Sequence, residues 1–404
     1  MRASQGQKGT RITIRRHHHN EHVRAGRSCP KDVRDVLPGS MRAEARKTIT
    51  DWPGYRPTDL RQLEQLAEEL RLGALYYKDE SARFDLASFK ALGGAYAVQL
   101  VLREMIEAKL GRPVTLEDVD RVRHPEVAST ITVVTATDGN HGRSVAWGAR
   151  RFGCNCEIFM HHQVSQGRQD AVEALGARVR RIRGNYDDSV HAAAEEARAN
   201  GWLVVSDTSW DGYVDIPRDV MAGYTVMSSE AMDQWPMPEP PTHVFIQGGC
   251  GGLAAAICVD MWDRYGDRMP RLVIVEPVSA ACLHESARLG MQSRVDITTE
   301  SVMAGLSCGE VSLIAWPIIA SGASDFLAIT DEPIGPLMRR LAREESIVAG
   351  ESAVAGLAGL TEARKDDRLW TRLGLSKESR VLVYGTEGAT DPEIHRSMVG
   401  VMGT

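Results

Sequence analysis

The stretch ITVVTATDGNHGRSVAWGARRFGCNCEIFM, residues 131–160, decides the fold class. Ile131–Thr135 is rich in β-branched residues, which predicts a strand, and the amphipathic run His141–Phe152 predicts the helix that follows. Cys156–Met160 then predicts a second strand. Two strands joined by a helix of this length indicate a parallel α/β unit.

The same alternation continues along the chain from about Asp51 onward. The further predicted strands are Arg178–Ile182, Trp202–Ser206, His243–Gln247, Arg271–Glu276 and Arg380–Tyr384, and the further predicted helices are Ala95–Met105, Ser165–Leu175, Asp187–Ala199 and Leu253–Arg264. Four prolines between residues 236 and 241 predict a surface linker after Met232. The repeated order of strand and helix predicts a parallel sheet.

The length, the net charge and the apolar content of the chain disfavour several kinds of partner. The 404 residues exceed one average domain of about 150 residues. The net charge of −6 disfavours nucleic-acid binding, which usually needs a basic face. No apolar run approaches the ~18 residues of a membrane span, and the first residues lack the apolar core of a secretory signal. We therefore expect a cytoplasmic protein that acts on a small molecule.

The seven cysteines are too few for a disulfide scaffold, and their odd number suits a reducing compartment. Cys154 and Cys156 lack the second nearby pair that zinc sites of the usual spacing contain. Cys282 and Cys308 are either a disulfide pair or two buried thiols, and the sequence leaves this open.

Residues 1–45 differ from the rest because basic residues dominate and apolar residues are few. This composition predicts a disordered, solvated tail that buries too little apolar surface to fold. The run His17-His18-His19 allows metal binding as an alternative role for part of the tail.

Lys90 lies in the segment Ser88-Phe89-Lys90-Ala91-Leu92-Gly93-Gly94, just before a predicted helix. Apolar neighbours would desolvate its amine, which lowers the pKa and favours the neutral, nucleophilic form. The alternative is a surface lysine at a helix start. Lys78 allows the same two interpretations, and we assign it to the surface.

A second segment, Thr135–Gly142, lies between a predicted strand and a helix. Ligands bind beyond the carboxyl ends of parallel strands, and N–H groups at a helix start attract an anion such as a carboxylate. Gly139 allows close backbone approach, and Asn140 can form a hydrogen bond with a cofactor hydroxyl. Asp138 would instead serve a cationic group. The alternative is an ordinary Asp-Gly turn with a helix cap.

A third segment, Gln247-Gly248-Gly249-Cys250-Gly251-Gly252-Leu253, also lies between a strand and a helix. Its four glycines let successive backbone N–H groups turn toward one phosphate. It matches neither a P-loop nor the Gly-x-Gly-x-x-Gly dinucleotide pattern, which disfavours an NAD enzyme. A flexible loop is the alternative. Together, the three segments supply what a pyridoxal 5′-phosphate (PLP) site needs: an amine, an anion-binding loop and a phosphate cradle.

From Gly54 to Asp391 the sequence resembles the fold-type II PLP-dependent enzymes, such as tryptophan synthase β and threonine dehydratase, and within them the diaminopropionate ammonia-lyases. The matching stretches are Gly54–Thr58, Lys78–Tyr96, Thr137–Trp147, Asn185–Asp188, Asp207-Thr208 with Trp210 and Gly212-Tyr213, Met303–Leu306, Cys308–Glu310, Gly350–Ser352 and Thr386–Gly388. The glycine loop departs from the lyase pattern by its additional glycines and its cysteine, and residues 1–45 have no match.

This resemblance implies an α/β fold with two open twisted parallel-sheet domains and PLP between them. The large PLP-binding domain would comprise residues 46–92 and 226–404, and the small domain residues 93–225. The resemblance also implies a homodimer.

The resemblance implies a role for each candidate site residue. Lys90 would hold PLP covalently, Asn140 would bind its ring hydroxyl and Thr386 would lie near the pyridine nitrogen. The implied cofactor-binding residues are Phe89, Lys90, Asn140, Gly248, Gly249, Cys250, Gly251, Gly252 and Thr386. The implied substrate-binding residues are Ser88, Thr137, Asp138, Gly139, His141 and Asp207. The catalytic residues would be Lys90 and Asp138, acting as bases toward the two enantiomers, and no metal ligand is implied.

The implied activity is the elimination of ammonia from 2,3-diaminopropionate to give pyruvate and ammonia, the reaction of a carbon–nitrogen lyase. Asp138 and Asp207 would contact the distal ammonium, which is a poor environment for the methyl group of threonine. The alternative enzymes are a serine/threonine dehydratase and a lyase for another β-substituted amino acid. A non-catalytic ligand-binding relative is the alternative of another class, although it would not need the amine of Lys90.

Overall fold

The computed structural model describes residues 14–24, 26–137, 139–184 and 186–400. The strands are β1 (Ile14–His19), β2 (Asp59–Gln62), β3 (Ala74–Asp79), β4 (Thr132–Ala136), β5 (Asn155–His161), β6 (Arg178–Ile182), β7 (Leu203–Val204), β8 (His243–Gln247), β9 (Arg271–Pro277), β10 (Ala323–Ile329) and β11 (Arg380–Gly385). The helices are α1 (Lys31–Arg34), α2 (Gly39–Thr50), α3 (Glu64–Leu70), α4 (Ala91–Leu110), α5 (Leu116–Asp120), α6 (Pro125–Ala128), α7 (Asn140–Phe152), α8 (Gln166–Glu173), α9 (Tyr186–Asn200), α10 (Asp215–Asp233), α11 (Gly252–Tyr265), α12 (Cys282–Leu289), α13 (Ala315–Gly322), α14 (Ile334–Glu344), α15 (Ala355–Ala363), α16 (Asp367–Arg372) and α17 (Pro392–Val399).

The strands form two sheets. The larger has seven strands in the order β1-β10-β9-β8-β11-β3-β2, and the smaller has four in the order β6-β5-β4-β7. All pairs in the smaller sheet are parallel. In the larger sheet the five central strands are parallel and the two edge strands, β1 and β2, are antiparallel to their neighbours.

The burial of the central strands shows that they are covered on both faces. Every residue of β8 and β10 is buried, as expected when helices cover both sides of a sheet. The α/β fold with two parallel-sheet units is confirmed. The smaller sheet lies wholly within residues 93–225 and the larger sheet outside it, while the domain boundaries themselves remain a prediction.

The N-terminal segment corrects the expectation of a disordered tail for its described part. β1 pairs with β10, and His17 and His19 both contact the buried carboxylate of Asp325 at 3.0 Å. Cys29 and Val33 are buried in the main core. The composition predicted disorder wrongly because an edge strand can pair with a sheet through its backbone and a few polar contacts. Residues 1–13 lie outside the described part of the chain.

The assignment of Lys78 to the surface is also wrong. Its side chain is fully buried, and its amine lies 2.8 Å from Glu230 and 2.6 Å from the carbonyl oxygen of Thr58. Arg83 contacts the same glutamate at 2.7 Å and Glu80 at 2.8 Å. Two cations and two anions therefore pair beneath the segment that leads to Lys90.

The predicted strands and helices around the three segments are confirmed, with small shifts at their ends. β6 and β8 have the predicted bounds, and α4 extends from 95–105 to Ala91–Leu110. In the described residues no helix is long and apolar enough to span a membrane. Three helices matter for the site because each begins at one of the three segments: α4 after Lys90, α7 at Asn140 and α11 at Gly252.

Candidate active site

A pocket lies where the carboxyl ends of β4, β7, β8 and β11 meet the N-terminal ends of α4, α7 and α11. Its lining includes these predicted site residues: Phe89, Lys90, Thr137, Gly139, Asn140, His141, Asp207, Gly249, Cys250, Gly251, Gly252 and Thr386. Side chains that the sequence interpretation did not select also line it, among them Arg168, Tyr224, Cys308 and Glu387. The fold therefore brings the three segments together.

Lys90 and Asp207 form an ion pair inside this pocket. Burial lowers the pKa of the Lys90 amine, but the Asp207 carboxylate, together with Tyr224 and Cys250, raises it well above its ordinary value. The expectation of a lowered pKa is therefore wrong for the chain as described, because the sequence did not show that a carboxylate faces the amine. Burial raises the pKa of Asp207, yet His141 and Lys90 hold it below its usual range.

Two aromatic rings flank the amine of Lys90. The nitrogen lies 5.5 Å from the ring centroid of Phe89 and 5.7 Å from that of Tyr224, and the two rings are 4.7 Å apart. A cation at this distance from a ring face is stabilised. Tyr224 comes from α10, far along the chain, so no local sequence signal pointed to it.

His141 faces Asp207 from the start of α7. Its Nε2 lies 2.8 Å from the carbonyl oxygen of Val205, which only accepts, so Nε2 carries the hydrogen of the neutral ring. Nδ1 is buried without a hydrogen-bond partner and lies 3.8 Å from the carboxylate of Asp207. Burial lowers the pKa of His141, and Lys90 acts in the same direction.

The side chain of Thr137 stabilises the loop that precedes α7. The hydroxyl of Thr137 accepts hydrogen bonds from the backbone N–H of Gly139 at 3.0 Å and of Gly142 at 3.1 Å. A Cβ at Gly142 would lie 2.3 Å from the Thr137 side chain, so the tight loop requires glycine there. Asp138, predicted as a base and ammonium contact, lies outside the described residues.

The glycine loop after β8 has the shape of an anion cradle. A Cβ at Gly248 would lie 2.8 Å from Glu276, and Gly251 combines a φ of +97° with only 2.8 Å to Ile319. Larger residues are therefore excluded at both positions. α11 begins at the next residue, Gly252, and directs its free N–H groups and the positive end of its dipole toward the pocket.

Thr386 follows β11 and is buried. Its hydroxyl oxygen accepts a hydrogen bond of 2.7 Å from Nε2 of Gln247, which also donates to the carbonyl oxygen of Tyr384 at 2.9 Å. Since the oxygen is already an acceptor, its own hydrogen is available for a ring nitrogen. This arrangement agrees with the position that the resemblance implies for Thr386.

Two predicted contacts lie behind the pocket lining. The hydroxyl of Ser88 is buried and accepts from the backbone N–H of Lys90 at 3.3 Å, so it supports the lysine segment. Gly248 packs against Glu276 and Leu283 at the base of the glycine loop. Their direct contact with a ligand remains a prediction.

The seven cysteines are free thiols, so Cys282 and Cys308 do not form a disulfide. The thiol of Cys282 lies 3.5 Å from the carbonyl oxygen of Gly249. A hydrogen bond from Cys308 lowers the pKa of Cys250 to about 7. Cys250 and Cys308 line the pocket and Cys282 contacts the glycine loop, so these three thiols do not cross-link the loop.

Comparison with known proteins agrees with this geometry. Residues 52–383 match the family described as pyridoxal-phosphate dependent enzyme. Diaminopropionate ammonia-lyase from Escherichia coli K12 is 37% identical over 354 residues, 86% of this chain and 88% of that protein. The enzyme of that name from Salmonella typhimurium is 34% identical over 90% of this chain and 93% of its own length.

A solved structure gives the same result. The crystal structure of the Escherichia coli diaminopropionate ammonia lyase in complex with D-serine superposes with a TM-score of 0.85, at 34% identity, covering 96% of this chain and 98% of that chain. The chain belongs to the pyridoxal-phosphate dependent enzymes of fold type II. Its resemblance to the diaminopropionate ammonia-lyases within that family is confirmed.

The residues present fit PLP. The glycine loop and the start of α11 form a cradle for the phosphate, and a Cβ at Gly248 or Gly251 would collide with residues behind the loop, so the loop keeps this shape only with glycine there. The amine of Lys90, the amide of Asn140 and the hydroxyl of Thr386 line the same pocket. They would supply an amine for covalent attachment, a partner for the ring hydroxyl and a donor for the ring nitrogen, as the resemblance implies.

Proposed function

We propose that the protein removes ammonia from 2,3-diaminopropionate by a PLP-dependent α,β-elimination that gives pyruvate and ammonia. The observation that carries this proposal is the Asp207 carboxylate, which lies in the pocket beside Lys90 and is kept ionised by its neighbours. An ionised carboxylate in a partly dry site recognises a cationic substituent such as the β-ammonium group. It offers no comparable partner to the methyl group of threonine.

When bound, PLP withdraws electrons from the Cα of the attached amino acid, which makes removal of its proton and loss of the β-substituent easier. Lys90 is proposed as the residue of covalent attachment and as the base toward the L-form. Asp138 is proposed as the base toward the D-form. Because the pKa of the Lys90 amine is high beside Asp207, this amine becomes a base only once a cationic substrate competes for that carboxylate.

The remaining site residues have binding roles in the proposal. The N–H group of Gly248 donates to the carbonyl oxygen of Val275, so those of residues 249–252 and of the start of α11 hold the phosphate. Asn140 binds the ring hydroxyl, and Thr386 donates to the ring nitrogen. Thr137, Gly139 and the N-terminal turn of α7 bind the substrate carboxylate. Since the N–H groups of Gly139 and Gly142 already donate to the Thr137 hydroxyl, the donors proposed for the carboxylate are the hydrogen of that hydroxyl and the first N–H groups of α7. His141 is neutral, and its Nδ1, which lies 3.8 Å from Asp207, remains available as an acceptor for the β-ammonium group beside that carboxylate.

The assay is pyruvate release from 2,3-diaminopropionate, L-serine, D-serine and threonine at equal concentration. The proposal expects the diamine to have the highest kcat/KM in both enantiomeric forms. Equal or faster turnover of threonine would overturn the narrow assignment. A purified protein without visible cofactor absorbance and without lyase activity would favour the ligand-binding alternative.

D-Serine dehydration is the second candidate function. The observation that favours it is the crystal structure of the Escherichia coli relative in complex with D-serine. A serine hydroxyl is smaller than the β-ammonium group and carries no charge, so Asp207 contributes less to its binding. The same assay separates the two functions, since a dehydratase would release pyruvate from D-serine faster than from the diamine.

We also propose that the enzyme is a cytoplasmic homodimer, as the resemblance to fold-type II enzymes implies. Seven free thiols are compatible with a reducing compartment. Light scattering of the purified holoenzyme during size-exclusion chromatography tests the proposal. A mass of one chain at micromolar concentration would contradict the dimer.

A further inference from the structure

Glu387 is a pocket residue that the proposed mechanism does not use. It follows β11 and lies next to Thr386, and only 6% of its surface is exposed. The backbone around it is fixed, because its carbonyl oxygen accepts from the N–H of Gly350 at 2.9 Å and the residue forms an antiparallel bridge with Ser88. A side chain held this firmly at the edge of a cofactor pocket is placed to orient another group.

The two carboxylate oxygens of Glu387 have different partners. Oε1 accepts a hydrogen bond of 3.0 Å from the backbone N–H of Ser352. Oε2 accepts from Nδ2 of Asn140, at the first residue of α7. The first contact anchors the carboxylate to the large-sheet side of the molecule, and the second reaches across the pocket to the helix that follows β4 of the smaller sheet.

This contact fixes the amide orientation of Asn140. An ionised carboxylate offers only acceptors, so the NH₂ end of the amide must face Glu387 and the oxygen must face away. One of the two N–H bonds is used by Oε2, and the second remains for another acceptor in the pocket. Without an acceptor-only neighbour, the two ends of an amide exchange at little cost, since the end groups have almost the same shape.

Two arginines and two hydrogen bonds favour the ionised form of Glu387 on which this orientation depends. Burial is the largest influence and leaves the pKa of Glu387 above its ordinary value, while Arg168 and the hydrogen bonds from Ser352 and Asn140 act against it. Arg143, one turn into α7, has buried guanidinium nitrogens without hydrogen-bond partners, and its charge interacts favourably with the same carboxylate. Glu351 is another buried acid, and burial and the charge of Glu387 raise its pKa to about 7.

We propose that Glu387 is a positioning residue that holds the amide of Asn140 with an N–H directed at the ring hydroxyl of PLP. Glu387 acts on the cofactor through Asn140 and makes no contact with the reacting atoms of the substrate. The inference rests on the proposed function and on the cofactor role proposed there for Asn140. The roles proposed for Lys90 and for the glycine loop do not account for Glu387, and this inference gives it one.

The test is a double-mutant cycle with Glu387→Gln and Asn140→Ala, read out as the dissociation constant of PLP from the apoenzyme. The glutamine keeps the shape of the side chain, but its amide both donates and accepts, so Asn140 loses its fixed orientation. We expect Glu387→Gln alone to weaken PLP binding about tenfold, the effect of losing one hydrogen bond to a charged group. We also expect a changed visible spectrum of the bound cofactor.

In the Asn140→Ala background, Glu387→Gln should have no further effect, because the group through which it acts is gone. Additive losses in the double variant would overturn the positioning role. Glu362→Gln is the matched control, since Glu362 is a largely buried acid that pairs with Lys365 instead of Glu387 or Asn140, and its effect should be the same in both backgrounds.

The two proposals fail in different ways. Wild-type protein that does not bind PLP or does not release pyruvate from the diamine contradicts the proposed function. Wild-type protein that does both, together with a Glu387→Gln variant of unchanged PLP affinity and spectrum, contradicts only the role of Glu387.

Discussion

Lys90 and Asp207 form an ion pair inside the pocket although they are 117 residues apart in the chain. The lysine precedes α4 and the aspartate follows β7, so the pair exists only because the two elements meet at the same edge. The pairing explains why burial does not leave the amine neutral. It also places an ionised carboxylate where the substituent of a substrate must lie.

Replacing Asp207 by Asn should change substrate choice more than cofactor binding. The amide keeps the size of the side chain but removes the charge that a β-ammonium group requires. We expect kcat/KM for 2,3-diaminopropionate to fall at least about thirtyfold, as when one partner of a buried charge pair is removed, and that for D-serine to fall far less. Pyruvate release measures both, and equal losses would contradict a role in recognising the cation.

Lys90→Ala should abolish the covalent attachment of PLP. In the wild-type holoenzyme, borohydride reduction should increase the mass of the protein by one cofactor, because the amine of Lys90 is the only attachment point proposed. Lys109→Ala, at an exposed site, is the control and should retain the added mass. If borohydride reduction still added the mass of one cofactor to every chain of the Lys90→Ala protein, another lysine would hold the cofactor.

Gly251→Ala should destabilise the apoprotein and weaken PLP binding together. The new Cβ would lie 2.8 Å from Ile319 at a φ of +97°, a conformation that costs a residue other than glycine about 1–2 kcal/mol before any clash is counted. Gly249→Ala in the same loop is the matched control, since its nearest neighbour would be 3.5 Å away. Thermal unfolding of both apoproteins should show a lower Tm only for Gly251→Ala.

Arg83→Met should lower the free energy of unfolding by about 3–5 kcal/mol, because it leaves buried carboxylates without their partner. The guanidinium contacts Glu80 and Glu230 at 2.8 and 2.7 Å in a site closed to solvent. Lys31→Ala removes an exposed ion pair with Asp35 and should change stability by less than about 1 kcal/mol. Urea unfolding of the two variants gives the comparison, and a similar small loss in both would contradict a stabilising network.

Acid should destabilise the fold through His243. Its ring is buried against the carbonyl oxygen of Leu373, and burial lowers its pKa from 6.5 to about 4. As pH falls from about 6.5 to about 4, the unfolded chain binds a proton that the folded chain does not, so stability falls. The loss is on the order of 3 kcal/mol. His243→Gln should flatten the decline measured by urea unfolding in this window, whereas the exposed control His191→Gln should not.

The parts of the fold that were predictable are those with a strong local pattern. β4, β5, β8, β9 and β11 were found because parallel strands covered on both faces are largely apolar runs. β6 does not follow this pattern, since it is a partly exposed edge strand with three arginines. β10 was missed because Ser324 and Asp325 interrupt its run, and the buried aspartate has distant partners in two histidines of β1 and in Arg271. β1 was missed because its residues are basic and its pairing is long-range.

The site residues also divide into those with a recognisable local sequence pattern and those without one. Lys90, Asn140, the glycine loop and Thr386 were found because the chemistry of a cofactor site requires recognisable residue types in short segments. Tyr224 reaches the pocket from the middle of α10 and Arg168 from the first turn of α8, and nothing in the local sequence distinguishes either from ordinary helical residues. The charge state of Lys90 was missed for a related reason, because a pKa depends on neighbours that only the fold supplies.

The position of β11 in the large sheet has a consequence for synthesis. It is the last of the described strands, yet it lies between β3 and β8, strands that leave the ribosome much earlier. The facing edges of β3 and β8 stay unpaired, and therefore prone to pairing with other chains, until residues 380–385 emerge. Thr386 and Glu387 follow directly after β11, so the cofactor pocket is completed only after residues 380–387 have been translated.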